Sequence, residues 1–317
     1  MPVLLLVLAC AFWGLSFPFV KALDYEQSAR LPGASKEFLA AWLQMARFGT
    51  ASLLMAPFLF RLRPTRNELI QGAWLALWGG LGMAAQAWGL AYTDASTSAF
   101  LTQAYCVILP LIACLRSRRA PSTRTILATL LVIGGGGILS GVSVQNFAIG
   151  KGEIATLLAA FIFTFQILTL EKPKYQKNRG VMVTFTMCAS ICLLFFPIAF
   201  ILAPQPGAMI SAGGSWSAVM LILGLALFCS VAGFGLMNTW QPRVSSTEAG
   251  LIYTSEPVFT AIFVMFLPAL LGKLIGHPYP NESLTPTLLV GGSLILAANL
   301  LMQWKRPPHP PTIAPIP

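Results

Sequence analysis

Two residues in this sequence could hold a charged group from within an apolar wall. Arg47 stands in LQMARFGTASLLM (43–55) and is the only charge between Phe38 and Phe60. Glu256 stands in YTSEPVF (253–259), inside the apolar block 245–270. A guanidinium offers a planar fork of donors that matches a carboxylate, and a carboxylate accepts from an ammonium group. Together they suit the two ends of a zwitterion. Two plainer readings stand beside that one: a structural ion pair, or Arg47 bonded to helix-end carbonyls. A carboxyl group at depth in an apolar segment is also a candidate proton exchanger.

Other chemistry finds no foothold. The two histidines are His277 and His309, far from any nucleophile or acid pair. GGGG (134–137) precedes no Lys-Ser or Lys-Thr, so it is not a phosphate-binding loop. Nothing calls for a metal or a cofactor. All six cysteines fall in apolar blocks, which argues against a disulfide framework. Cys188 and Cys192 are one helical turn apart but have no His or carboxylate beside them, so they read as packing residues.

The elements that must position Arg47 and Glu256 follow from composition. The chain has 317 residues, is 56% hydrophobic and 9% charged, and has a mean hydropathy of +0.74. That is the balance of a polytopic membrane protein rather than a soluble one. Blocks of helix-spanning length cover about 3–23, 38–60, 70–92, 95–115, 125–142, 153–170, 181–202, 217–240, 245–270 and 286–304. The expectation is an all-α membrane protein with ten transmembrane helices. The first block has no basic leader and runs past Cys10, so it reads as a retained helix rather than a signal peptide. YTDAS (92–96) must be a tight turn, and the Pro-rich 305–317 a disordered tail. At 1.5 Å per residue, Arg47 lies about 14 Å and Glu256 about 16 Å deep, near the middle of a ~30 Å core. A charge there costs at least about 2.5–3.5 kcal/mol. Trp13, Ser16, Lys21, Gln86, Gln103, Tyr105, Gln166 and Asn238 add polar or aromatic groups in other blocks. Each faces either a cavity or a neighbouring helix.

The formal charge of +10 could suggest a nucleic-acid partner. The positions of the charges exclude that. If the N-terminus is cytoplasmic, fourteen of the 20 Lys and Arg residues fall in inner loops and the tail and five on the outer side, with Arg47 inside a helix. That asymmetry places both termini in the cytoplasm. It accounts for the charge through a lipid-bilayer environment alone.

An internal repeat sharpens the picture. A shift of 150 lays STSAFL (96–101) on STEAGL (246–251). A shift of 140 lays Pro57 on Pro197. The expected units are 1–142 and 152–304. Five helices is an odd number, so the second unit enters the membrane inverted. Inverted repeats mark secondary transporters, with the solute site between the copies near the midplane. Under these shifts Arg47 falls on Met187 and Glu256 on Cys106, so the scaffold does not itself require either charge. Gly137 and Gly141 form a GxxxG contact, either within the monomer or as the face of a homodimer.

The motifs carry a resemblance. AFWGLSFPFVK (11–21), TSAFLTQAYCVILPL (97–111), GEIATLLAAFIFTFQIL (152–168) and STEAGLIYTSEPVFTAIF (246–263) resemble the first, fourth, sixth and ninth helices of the EamA-type transporters of the drug/metabolite transporter superfamily. Glu282 to Gly291 resembles the opening of that family's last helix. Two departures stand out: RSRRAPS (116–122) replaces the usual glutamate after the fourth helix, and KLIGHPYPN (273–281) is extra. The resemblance implies a central cavity lined by the helices that carry Trp13, Gln86, Gln103 and Gln166, with the fifth and tenth helices outside it. The reading is a secondary transporter in a bacterial inner membrane that moves a small organic metabolite, such as an amino acid, outward by alternating access. A channel or passive facilitator is the rival reading, and a membrane enzyme a more distant one.

Overall fold

The computed structural model describes residues 1–59, 62–118, 120–139, 149–244, 249 and 252–303. Among these the chain is helical, with no strand. The first repeat unit contains α1 (Pro2–Arg30), α2 (Lys36–Leu59), α3 (Arg66–Leu90), α4 (Ala95–Thr102), α5 (Tyr105–Ser117) and α6 (Thr123–Leu139). The second contains α7 (Lys151–Leu170), α8 (Gly180–Leu202), α9 (Trp216–Arg243), α10 (Glu256–Val264), α11 (Leu267–Ile275) and α12 (Pro286–Gln303). Of STEAGL only Ala249 is described; Gly141, the boundary at 142 and the tail 305–317 lie outside the described residues.

Four helices (α1, α7, α8 and α9) are each long and apolar enough to cross a bilayer, and α10 with α11 makes a fifth candidate if taken as one bent span. The segments Ala95–Leu109, Thr123–Leu139 and Pro286–Leu301 are apolar but shorter. Apolar side chains point outward all round: Leu53, Leu130, Leu193 and Ile201 are each at least 60% exposed. Such a surface needs lipid rather than water.

Several sequence expectations change in detail. α1 continues to Arg30 rather than ending near residue 23. The block 95–115 is not one helix; a tightened turn at Gln103–Ala104 divides α4 from α5. The block 245–270 turns at Thr254–Ser255, starts again at Glu256, and bends by 60° between Val264 and Leu267. Pro268 explains the bend, since it has no N–H to continue a helix and sits in the first turn of the next one. Turn residues 91–94 do separate α3 from α4, as YTDAS requires. Pro57 and Pro197 both lie inside their helices, α2 and α8.

Packing pairs recur between the units. α1 packs on α9 and α10, and its counterpart α7 packs on α3 and α4. α2 meets α8, and α6 meets α12. The last contact is made by Gly135 against Gly291: a Cβ on either would come within 2.8 Å of the other's carbonyl oxygen. Gly137, by contrast, faces open space, so the packing glycine on α6 is Gly135.

Hydrogen bonds also join the units at both ends of the bundle. At one end the Glu68 carboxylate accepts from the Arg179 backbone N–H, Nε and Nη2 at 3.0, 2.8 and 2.8 Å. Glu68 also closes a capping box with Thr65 at the start of α3, ahead of the apolar stretch. The Arg179 guanidinium holds its carboxyl down at about 2. At the other end Glu282 accepts from the backbone N–H groups of Ala95 and Ser96 and so caps α4. Glu26 of α1 accepts from Ser215 and Ser217 at the start of α9. Each unit thus supplies a carboxylate to the start of a helix in the other.

Candidate functional site

Between the units lies a narrow cavity of about 80 Å³, smaller than the usual range for small-molecule sites. Arg47 from α2 and Glu256 from α10 both line it. So do Trp13 and Ser16 of α1, Gln86 of α3, Tyr105 of α5 and Gln166 of α7. Gln103 does not. It is buried behind the wall, where its Oε1 accepts from the Tyr105 hydroxyl at 3.2 Å. Asn238 is bonded to Thr184 at 3.0 Å instead. Lys21 sits towards the Glu282 end, donating to the Thr93 carbonyl at 2.8 Å and to Asp94 at 3.4 Å.

Arg47 is 5% exposed. Its Nε donates to Ser230 Oγ at 2.8 Å, and its guanidinium carbon lies 5.0 Å from the Phe48 ring centroid. Neither an ion pair with Glu256 nor a bond to helix-end carbonyls occurs among the described residues. Burying a guanidinium without a counter-ion is costly. The ring face and the hydroxyl offset part of that cost.

Glu256 is the first residue of α10, not a mid-helix residue. The Glu-Pro pair has a local reason: Pro257 falls in the first helical turn, where its missing N–H is no loss. A carboxylate in that turn faces the positive end of the helix dipole. No hydrogen bond to its carboxylate is made by any described side chain, so its oxygens are left to the cavity. Two interrupted helices, α4/α5 and the one leading into α10, therefore meet the same cavity from the two units. Interruptions at corresponding places in two repeats mark transporter binding sites.

Aromatic groups shape the remaining wall. Trp13 contacts Phe234 and Tyr253 with ring centroids 5.4 and 5.5 Å apart. The Tyr253 hydroxyl donates to Gln241 at 2.6 Å, as Tyr105 does to Gln103. Gln86 donates to Thr102 at 2.8 Å. The Nε2 of Gln166 is buried with no partner. Sequence reasoning missed Tyr253, although it lies three residues before Glu256 and hence on the same side of a turn. It also missed Phe234 and Ser230, which no charge or motif marks.

An all-helical bundle with a lipid-facing apolar surface, and a mostly apolar cavity carrying a few polar groups between two repeat units, is a polytopic membrane protein. A family model for the EamA-like transporter family matches residues 1–141 and 150–304. The chain belongs to that family. An uncharacterized transporter of Archaeoglobus fulgidus is 27% identical over 301 residues, covering 95% of this chain and 85% of that protein. A solved crystal structure superposes with a TM-score of 0.54 at 14% identity, over 92% of this chain and 95% of that one, which is a likeness of fold alone. Transport across a lipid bilayer implies a small-molecule substrate, and a transporter is not an enzyme.

Proposed function

We propose that the protein is a secondary transporter that carries a small zwitterion, an amino acid being the simplest case, outward across a bacterial inner membrane. The two units work as inverted halves that open the central cavity alternately to each side, with both termini in the cytoplasm. One observation carries this reading. Arg47 and Glu256, a basic and an acidic side chain, line one cavity and form no ion pair with each other. Arg47 serves the carboxylate end and Glu256 the ammonium end. Trp13, Gln86 and Gln166 contact the middle of the solute, with Gln103 supporting Tyr105 from behind.

The test uses purified protein in proteoliposomes. Arg47→Ala and Glu256→Ala each abolish counterflow of labelled amino acids. The double exchange, Arg47→Glu with Glu256→Arg, restores folding better than transport. Normal transport by Arg47→Ala refutes the assignment. Full recovery of both properties in the exchange makes the pair structural. Flux that never saturates and shows no counterflow replaces the carrier with a channel.

A further inference from the structure

Ten residues of α9, Leu225–Phe234, wind as a π-helix. Such winding is rare, usually a single turn long, and concentrated at functional sites. Its counterpart in the first unit, α3, is α-helical throughout. There Gly80 packs against Ile191 and Phe195 of α8. The scaffold therefore has a regular solution for this place and does not use it in α9.

The π-helical segment supplies three contacts in and behind the cavity wall. Ser230 Oγ accepts from Arg47 Nε at 2.8 Å. Gly233 lets Trp13 approach so closely that a Cβ there would lie 2.7 Å from the indole nitrogen. Phe234 contacts Trp13 and also Phe48, the ring beneath Arg47, with centroids 6.0 Å apart in the second pair. Residues wound as an α-helix advance by about 100° each. The wider π turn advances them by less, so straightening this segment would rotate Ser230 away from Arg47.

Ser230 is completely buried and touches only one of the five N–H donors of Arg47. The bond at Nε fixes the plane of the guanidinium while leaving its two terminal amino groups without a hydrogen bond to a described residue. Those two groups form the edge that pairs with both oxygens of a carboxylate.

We infer that Ser230 is a positioning residue, set by the π-helical segment, which presents the two terminal amino groups of Arg47 to a carboxylate group in the cavity. The inference rests on the reading of Arg47 as a solute ligand. It adds the device that makes the interaction selective for planar two-oxygen acids over amines that lack one.

The experiment has a readout that requires no knowledge of the solute. Phenylglyoxal attacks the terminal amino pair of an arginine, and peptide mass spectrometry measures its rate at Arg47 alone. In detergent-purified Ser230→Ala the rate at Arg47 falls several-fold, and Ser230→Thr, which keeps the hydroxyl, restores it. A wild-type rate in Ser230→Ala overturns the inference whatever the protein carries, provided the variant elutes and melts as a folded protein. A fall in rate that Ser230→Thr does not reverse also overturns it. The second readout is counterflow of the twenty common L-amino acids and of their decarboxylated amines. Ser230→Ala raises KM for a transported amino acid about tenfold, with Vmax within twofold, and leaves the amines unchanged. An equal effect on the amines overturns selectivity for the carboxylate. If Arg47→Ala transports normally while the labelling result holds, the ligand role of Arg47 fails and the positioning by Ser230 stands.

Discussion

Gly14 is a sensitive point for testing how the site is held together. It lies on α1 next to Trp13, where α1 crosses α10. A Cβ on Gly14 would lie 2.9 Å from the Phe259 Cβ, 2.9 Å from the Thr260 backbone nitrogen and 3.2 Å from the Glu256 carbonyl oxygen. Two of these are backbone atoms and the third is fixed to the backbone, so no flexible side chain can absorb the clash. Ordinary contact begins near 3.4 Å, so α10 must move away from α1 by about half an ångström. Overpacking of this kind costs about 1–3 kcal/mol. The same movement carries Glu256 away from Trp13 and the cavity. Gly14→Ala therefore lowers the melting temperature in detergent and weakens counterflow more than its loss of stability explains. Gly134→Ala is the control, since a Cβ there meets nothing within 4 Å. If Gly14→Ala melts and transports as the wild type does, the contact between α1 and α10 does not set the position of Glu256.

Three further tests address separate parts of the argument. The excess of basic residues in the loop before α8 predicts that a reporter fused after Arg179 is cytoplasmic, and α8, at 23 residues, is long enough to put one placed in 205–215 outside; the reverse pattern, or both on one side, refutes the topology. Glu68 ionises at about 2 in the folded protein, below the value of about 4.3 for a free glutamate. Its contribution to stability is complete above roughly pH 5 and is lost as the pH falls toward 2, so the melting gap between wild type and Glu68→Gln is widest at neutral pH and closes in acid. A gap independent of pH refutes that linkage. Glu256→Gln removes any dependence of transport on a proton gradient, and full dependence in the variant excludes Glu256 as the proton carrier.

The helical, membrane-embedded character was legible because bilayer thickness imposes a length on apolar helices, and a chain with 9% charge has few places to hide it; the count of ten spans was not, since four helices, or five with the bent pair, reach that length among the described residues. The family was readable from local strings such as AFWGLSFPFVK. The departures come where hydropathy is blind. Gln103–Ala104 and Thr254–Ser255 interrupt apolar blocks without adding charge, so a length count runs straight through them. Arg47 and Glu256 were visible because charge is costly in lipid. Their surroundings were not, because Ser230, Phe234 and Tyr253 earn their place only through how helices from different units meet. Gln103 shows the reverse error: a polar residue at the right depth turned into the wall.

The crossed carboxylates at the Glu282 end bear on how this chain came to be one chain. Glu26 serves the helix that begins at Trp216, and Glu282 serves the one that begins at Ala95. Once each half depends on a carboxylate in the other, a half-protein paired with its own copy leaves a helix start unserved. The two halves have become complementary parts, and severing the chain between them should yield fragments that assemble only as a mixed pair.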